Sequence, residues 1–351
     1  GYWSMWLFLV LFILSLFAEF IANDKPILVK YEDQYLTPIF KTYGEKVLFP
    51  DDPLALPRID FTDPYIQDAI HDAGGWMIWP PIHFSYRTVN KEIPTAAPSK
   101  PAFLFDSREE LCARYPDGVD DPNCRIGNFN WLGTDDQGRD ILSAIIHGAR
   151  ISLFIGFTAM LISGIIGTTL GVLAGYFGGR VDMIVNFILT TRLSLPVVLV
   201  ALAVVSLVGS SLTVVIWVLG LLIWDRFAVV MRSATQQIRN LEFVAAAQAL
   251  GCSTPRIILT EILPNIANHL IVVATLEMAH AILLEAALSF LGLGVQPPQP
   301  SWGLMVSEAK GLMFFDSWLI AIPGMALFLL VLSINLLGDG IRDVTAPENR
   351  N

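Results

Sequence analysis

Long apolar stretches are the sequence feature that most limits how this chain folds. A helix needs about 20 apolar residues to cross the hydrocarbon core of a bilayer. Five stretches are long enough: Tyr2–Ile21, Ile151–Tyr176, Leu193–Trp224, Ile271–Leu293 and Trp318–Leu337. The third is too long for one crossing and contains Gly209-Ser210-Ser211, so we divide it into two helices. The sequence therefore predicts an all-α integral membrane protein with six transmembrane helices.

The composition excludes an ordinary soluble domain. Hydrophobic residues make up 54% of the 351 residues and charged residues only 15%, whereas soluble domains carry about 25% charged residues. The net charge of −10 belongs mainly to residues 22–140, which hold 20 acidic and 12 basic side chains. Nucleic-acid binding requires clustered positive charge, so we expect no nucleic-acid partner.

Positive charges in the short connections predict the orientation, because short cytoplasmic loops are enriched in Lys and Arg. The connection 224–268 contains four arginines, Arg226, Arg232, Arg239 and Arg256. The connection 294–317 carries a single positive charge, Lys310, and we place it outside. With six spans, both termini then lie in the cytosol and residues 23–140 lie outside.

The chain divides by these criteria into a first transmembrane helix at 1–22, an outer segment at 23–140 and a helical core at 141–351. The outer segment holds 13 of the 21 prolines, so we expect a large irregular insertion after the first helix. Short helices are predicted at 64–72 and 107–113. Because the chain begins at Gly1 without Met, we expect that a cytosolic leader is missing or was cut away.

The three cysteines fall on both sides of the predicted membrane. Cys112 and Cys124 lie in the outer segment at a loop-sized spacing, and disulfides persist in oxidising compartments. We predict that these two cysteines pair, the alternative being two buried thiols. Cys252 lies in a cytosolic connection and is predicted to be free.

The cytosolic segment 233–264 is the most informative part of the chain. Ala-rich residues 244–250 favour a helix, Gly251 is suited to end it, and Pro255 suits the first turn of a second helix. We expect Pro264 to stop that second helix. One face of the first helix carries three apolar side chains that form a small ridge, Val244, Ala247 and Leu250. A ridge of this kind fits a groove on a partner.

This segment resembles the "EAA" coupling loop of bacterial ABC importer permeases. Five residues stand at the spacings of that pattern: Ala246, Ala247, Gly251, Leu263 and Pro264. Ala245 replaces the glutamate of the general pattern and Glu261 replaces its isoleucine. Glu242 supplies an acidic residue earlier, as in the peptide-importer branch.

Further segments are similar to the C-type permeases of dipeptide and oligopeptide importers. They are 130–140, 148–152, 285–294, 300–303 and 338–343. Residues 1–4 and 19–26 resemble the E-type permeases of the Yej microcin C and peptide importers. The C-type resemblance covers residues 130–347, about 60% of the chain.

The resemblance implies one half of a heterodimeric ABC importer for peptides in a bacterial inner membrane. Its partners would be a B-type permease, one or two ABC ATPases, a periplasmic solute-binding protein and the lipid bilayer. This chain would be no enzyme and would bind no cofactor, since ATP and Mg would bind to the ATPases. Consistently, the sequence lacks the Gly-x-x-x-x-Gly-Lys-Ser/Thr loop that cradles nucleotide phosphates.

Glu277, His280 and Glu285 lie in or near the fifth predicted span, where ionisable groups are costly and normally face the bundle interior or water. They share a 140° sector of the helix at about 100° per residue. Three interpretations stay open: a lining of the translocation path, structural pairing, or a metal site. No matching ligand pair appears on the other spans, so we predict no metal. The functional alternative is a membrane enzyme with an intramembrane Glu/His centre.

Glycines give one helix a face of nearly bare backbone. Ile151–Tyr176 carries five of them: Gly156, Gly164, Gly167, Gly171 and Gly175. Such faces allow membrane helices to approach closely. The partner is either a second permease or, as we prefer, another helix of the same chain.

Overall fold

The computed structural model describes residues 2–115, 117–121 and 124–345. Most of this chain is helical, with one small sheet. The α-helices are α1 Tyr2–Leu16, α2 Ala18–Ile21, α3 Pro64–Asp72, α4 Arg108–Leu111, α5 Ile141–Phe177, α6 Gly179–Leu193, α7 Val197–Val208, α8 Leu212–Leu222, α9 Asp225–Ile238, α10 Glu242–Ala249, α11 Thr254–Arg256, α12 Leu263–Phe290, α13 Trp302–Ala309 and α14 Trp318–Thr345. The strands are β1 Leu28–Tyr31, β2 Gln34–Leu36 and β3 Trp76–Ile78.

The described residues contain four helical runs that are long and apolar enough to cross a bilayer. They are Ile141–Phe177, Leu212–Ile238, Thr254–Phe290 and Trp318–Val344. The pair α6 and α7 passes the same test together, although it bends by 81° at the break. α1 is apolar but has only 15 residues. The fold is therefore that of a helical membrane protein.

The third predicted span begins in the wrong place. The sequence predicts a helix from Leu193, whereas the structure breaks between Leu193 and Val197 and places a separate helix, α6, before the break. Pro196 explains the break, because proline disfavours the helical conformation of the preceding residue and donates no hydrogen bond. The predicted interruption at 209–211 is present: α7 ends at Val208 and α8 begins at Leu212.

The chain forms two compact units, and the first comprises Gly1–Leu11, Ile151–Glu308 and Pro323–Asn351. Its main apolar core draws on α5, α7, α8 and α12. The central buried side chains are Ile155, Ala159, Ala201, Val205, Leu219, Leu284 and Leu288. Burial of these side chains aligns the helices that carry the candidate site.

Helix α9 packs against the glycines of α5 with almost no space between the two backbones. A Cβ atom at Gly171 would lie 2.5 Å from the carbonyl oxygen of Ala228, and one at Gly175 would lie 2.7 Å from that of Arg232. A Cβ atom at Gly164 would lie 3.4 Å from the ring of Phe227, which is close to ordinary contact. This glycine face thus packs against a helix of the same chain.

Replacement of Gly171 by alanine is expected to destabilise the first unit. The added methyl group collides with backbone that cannot move aside, and overpacking of this kind costs about 1–3 kcal/mol. The measurement is the apparent melting temperature of the full chain in detergent. Gly164→Ala is the matched control and should melt close to the wild type. Equal melting temperatures for the two variants would contradict this packing.

The second unit comprises Phe12–Arg150 and Ala309–Ile322. It contains a three-stranded antiparallel sheet in the order β2-β1-β3, in which Val29 pairs with both Leu36 and Met77. The strands have only three or four residues. Such short strands cannot be predicted from an alternating pattern of apolar and polar residues. The predicted irregular insertion therefore includes an ordered sheet.

Helix α3 covers this sheet and matches the predicted bounds 64–72. Asp63 accepts a hydrogen bond from the backbone N–H of Tyr65, and Pro64 occupies the first turn, where its missing N–H costs nothing. Ile66 and Ile70 are buried in the same apolar cluster as Val29. The predicted helix at 107–113 is shorter in the structure and spans Arg108–Leu111.

The cysteines of the second unit are bonded to each other. The sulfur atoms of Cys112 and Cys124 are joined, with their Cα atoms 5.7 Å apart, and both side chains are buried. Cys252 is a free thiol. The structure thus contains the pairing that the sequence predicts.

Candidate coupling helix and buried charges

Helix α10 is a short helix with a well-defined end. The backbone N–H of Gly251 donates to the carbonyl of Gln248 at 2.9 Å, and that of Cys252 donates to Ala247 at 3.1 Å. Gly251 has a φ of +77°, and this pair of bonds is the Schellman arrangement that ends many helices. The predicted helix and its glycine stop are present, with the helix at Glu242–Ala249.

The exposed face of α10 differs from the predicted one. Val244 is fully buried and packs with Ile257 and Ile262, so its prediction as an exposed docking residue is wrong. The periodicity correctly places Val244 and Ala247 on one face of α10. This apolar face packs on the core and is not exposed to the cytosol. Leu250 is 84% exposed and Phe243 is 37% exposed.

Pro264 does not stop the second helix of the segment. The helical run continues from Thr254 to Phe290, through a π-helical stretch at Ile257–Ile262 that ends just before Leu263. The wider π turn accommodates Pro264, because proline donates no backbone hydrogen bond. Leu263 is half-buried against the cluster around Val244, and Pro264 is exposed.

The predicted cytosolic connection 224–268 is helical over much of its length. Helix α9 carries Arg232, which donates to both carboxylate oxygens of Asp182 on α6, with an Nη2–Oδ2 distance of 2.7 Å. Arg239 donates from Nη1 to the carbonyl oxygen of Gly175 at 2.9 Å, at the end of α5 where a cation is favourable. These contacts were missed, although the spacing of Arg232 and Arg239, about two helical turns, indicates a shared face.

Glu277 forms a buried ion pair with an arginine from another helix. Its carboxylate is 1% exposed and accepts a hydrogen bond from Nη1 of Arg226 at 3.1 Å. Nδ1 of His280 lies 3.2 Å from the other carboxylate oxygen. Arg226 keeps 60% of its side chain exposed and His280 keeps 30%. Both carboxylate oxygens of Glu277 therefore have a partner, Arg226 for one and His280 for the other.

Glu285 belongs to a different cluster from Glu277 and His280. It is fully buried, and its Oε1 accepts hydrogen bonds from the hydroxyl groups of Ser289 at 2.7 Å and Ser301 at 2.9 Å. Two helical turns separate Glu277 and Glu285, about 12 Å along the axis. The helix therefore does not join the three residues into one site, and His280 is the member with an exposed edge.

Loss of Arg226 is expected to leave the buried carboxylate of Glu277 without its strongest partner. Arg226→Gln should destabilise the chain by about 1–3 kcal/mol, as an unsatisfied buried group does. The double variant Arg226→Gln with Glu277→Gln should recover most of the loss, because no charge is then unpaired. Melting in detergent measures both. Arg256→Gln, an exposed arginine, is the control, and a double variant that melts below both single variants would contradict the pairing.

The segment 130–140 is tied together by buried polar side chains of the second unit. Nδ2 of Asn130 donates to Asp140 at 2.9 Å, and the backbone N–H of Ser143 donates to the other carboxylate oxygen at 2.7 Å. Asn90 in turn donates to Asn130 at 2.8 Å. Asp140 precedes α5 and caps its first turn. Complete burial raises the pKa of Asp140 to about 6, against the two hydrogen bonds, which lower it.

Stability should therefore depend on pH through Asp140. Because the pKa in the folded chain lies above the ordinary value of 3.8, the folded state holds its proton more tightly than the unfolded state does. Its contribution to stability is complete below about pH 4 and is lost as the pH rises through 6, a change of about 3 kcal/mol.

Asp140→Asn is expected to remove this slope, because asparagine caps a helix without titrating. The measurement is the melting temperature of the full chain between pH 4 and pH 7. Asp136→Asn, an exposed neighbour, should keep the slope of the wild type. A slope that survives in Asp140→Asn would assign the pH dependence to another group.

Among the described residues, no group of three or more His, Cys, Asp and Glu side chains is placed to hold a metal ion. The site consists instead of an exposed short helix, the arginines of α9 that brace neighbouring elements, and a buried ion pair on α12. Together with the apolar helical runs, these features define a helical membrane protein with a short, partly exposed helix beside its buried charges.

Comparisons with known proteins place the chain in a family. The family described as "Binding-protein-dependent transport system inner membrane component" matches residues 167–351. The peptidoglycan transport system permease protein YejE of Agrobacterium fabrum is 38% identical over 348 residues, covering 99% of this chain and 90% of that protein. The inner membrane ABC transporter permease protein YejE of Escherichia coli K12 is 32% identical, with coverages of 99% and 93%. The dipeptide transport system permease protein DppC of Alkalihalophilus pseudofirmus is 42% identical over 63% of this chain and 73% of that protein.

The chain therefore belongs to the family of binding-protein-dependent transport system inner membrane components. The resemblances to C-type dipeptide permeases and to the E-type permeases of Yej importers are both confirmed. Membership makes the chain a transport subunit and not an enzyme, which overturns the alternative of an intramembrane Glu/His catalytic centre.

Proposed function

We propose that this chain is one transmembrane half of an ATP-driven importer for peptides and peptide-like compounds. Two of its relatives are transport permeases for dipeptides and for peptidoglycan, which supports this substrate class. Peptide antibiotics of the microcin C type and peptidoglycan fragments share the peptide bond with dipeptides. A common path for peptide-bearing molecules accounts for all of them.

The proposed topology has six spans, with both termini in the cytosol and residues 23–140 in the periplasm. The four long helical runs, the bent pair α6 and α7, and α1 followed directly by α2 would supply six crossings. The bent pair would serve as one crossing because its helices have only 15 and 12 residues, and α1 would reach the length of a crossing only together with α2. The bonded Cys112 and Cys124 support an oxidising compartment for the outer segment.

The proposed coupling element is α10, and its exposed apolar end is the observation that carries the proposal. Leu250 is 84% exposed at the tip of this helix, and a short helix of this kind suits insertion into a groove. The groove would belong to an ABC ATPase, which binds ATP and Mg. Glu242, Ala246 and Gly251 would shape the contact, while Val244 and Leu263 anchor the helix from inside.

The partners would be a B-type permease, one or two ATPases and a periplasmic solute-binding protein that docks on the outer face. Arg226, near the cytosolic interface, and His280 would contribute polar groups to the peptide path, since both keep exposed edges. Glu277 would act as their buried counter-charge, and Glu285 would hold the helix end through its serines. The path would thus present positive and neutral groups backed by a carboxylate.

A charge at the tip of α10 is expected to release the ATPase. Leu250→Asp should abolish co-purification of the ATPase with the tagged chain in mild detergent, because the aspartate would have to lose its water in an apolar groove. Leu54→Asp is the matched control, since Leu54 is also 84% exposed and lies in the other unit. Retention of the ATPase by Leu250→Asp, or its loss from both variants, would contradict the assignment.

The number of reactive cysteines tests whether the outer segment lies in an oxidising compartment. Among the three cysteines of the denatured chain, a maleimide polymer should modify one without reductant and all three after reduction. Cys112→Ser should expose a second reactive thiol before reduction, at Cys124. Modification of all three in unreduced wild type would place residues 23–140 in a reducing compartment and would contradict the topology.

A further inference from the structure

A polar cleft opens in the second unit beside α3. Its volume is about 340 Å³, within the range of about 300–1,000 Å³ that small-ligand sites occupy. We call it the outer cleft; the residues that matter for its chemistry are Trp79, His83, Lys91, Glu92, Tyr115 and Arg125. A space of this size suits a small ligand.

The outer cleft combines an aromatic wall with a free hydrogen-bond acceptor. The ring of Trp79 lies with its centroid 5.1 Å from that of His83. Nδ1 of His83 lies 2.7 Å from the amide oxygen of Asn128, so that nitrogen carries the proton. Burial lowers the pKa of His83, which favours the neutral ring. Its Nε2 is then an acceptor, and no hydrogen bond to it is formed by the described residues.

Tyr115 supplies a free donor on the same cleft. Its side chain is buried to within 6%, yet its hydroxyl group makes no hydrogen bond with the part of the chain that the structure describes. Burial and nearby carboxylates raise the pKa of Tyr115 to about 12, so the hydroxyl group keeps its proton. A hydroxyl group can donate one hydrogen bond, and a ligand in the outer cleft would provide the acceptor.

The charged side chains of the cleft are also available. Lys91 and Arg125 line it, and neither forms an ion pair within the described ranges. Two cations on one cleft favour an anionic ligand. Glu92 and Asp60 lie on the same walls, where they disfavour a doubly charged phosphate but match an ammonium group. A ligand with a single carboxylate and a distant ammonium group satisfies both kinds of charge.

We propose that the outer cleft binds a short peptide with a free carboxylate. Arg125 and Lys91 hold the carboxylate, the Tyr115 hydroxyl group and His83 Nε2 pair with a carbonyl and an N–H of the peptide, and Trp79 packs on an apolar side chain. This inference rests on the proposed peptide import and deepens it, because it gives the outer unit a substrate-holding role apart from the membrane path.

Calorimetric titration tests the proposal on the full chain with its co-purified partners in lipid nanodiscs, without binding protein. The probes are the tripeptide alanyl-alanyl-leucine and its C-terminal amide. We expect the acid to bind and the amide to bind at least about tenfold more weakly, as loss of a charge-assisted hydrogen bond predicts. Arg125→Gln should weaken binding of the acid by a similar factor. Arg114→Gln removes the same charge from an exposed site outside the cleft and should bind like the wild type.

A second pair of variants tests the aromatic wall. Trp79→Ala should weaken binding of the acid, whereas Trp76→Ala, at an exposed tryptophan outside the outer cleft, should not. Equal affinity of Arg125→Gln and wild type, or equal affinity for acid and amide, would overturn the proposal. So would displacement of the peptide by N-acetylglucosamine, which would make the cleft a sugar site.

The proposed function fails separately from this inference. If the same preparation takes up peptide with ATP, but Arg125→Gln binds the peptide as tightly as the wild type does, the importer function stands and the peptide-binding cleft is wrong. Carboxylate-dependent binding that is lost in Arg125→Gln, in a preparation that holds no ATPase and drives no uptake, would support the cleft while the importer fails.

Discussion

The contact between α5 and α9 is the constraint on which the first unit depends. Glycines on α5 let the two backbones meet, and a side chain at Gly171 or Gly175 would collide with α9. Without a hydrophobic difference between lipid and helix surfaces, such close packing is a main source of helix association in membranes. The position of α9 then determines where its arginines reach.

From that fixed position α9 makes charged or polar contacts with three other elements. Arg226 reaches Glu277 on α12, Arg232 reaches Asp182 on α6, and Arg239 reaches the end of α5. Helix α10 follows α9 directly, and Val244 anchors it in a core that includes Met231 of α9. A force applied to Leu250 would therefore act first on α9 and through its arginines on α6 and α12. This arrangement supports the coupling role that we propose for α10.

Much of this structure follows from local sequence chemistry. The bounds of α3, the turn before α8 and the glycine end of α10 depend on capping residues, prolines and glycines that act over a few positions. The inward turn of Val244 could not be predicted, because periodicity identifies an apolar face but does not say whether a core covers it. Helix α6 could not be predicted, because charged residues such as Arg180 and Asp182 are typical of loops. In the structure, Arg232 of α9 binds Asp182 and so holds α6 in place. The small sheet could not be predicted either, because its strands are too short to show the alternation of apolar and polar residues.

The same limit applies to the buried charges. A helical wheel puts Glu277, His280 and Glu285 on one sector, but it does not show Arg226 or Ser301, which come from other segments and divide the three into two clusters. Resemblance to a family supplies the partners and the transport role, whereas the outer cleft becomes visible only when residues from 60 to 125 are folded together.

We propose that this chain transports peptides only as part of an ATP-driven assembly. The direct test is uptake of a labelled tripeptide by proteoliposomes that contain the complex purified through this chain, with the binding protein supplied on the outer-segment side. We expect accumulation that requires ATP on the opposite side and stops when the ATPase is removed. Accumulation by the lone chain, or by the complex without ATP, would contradict it.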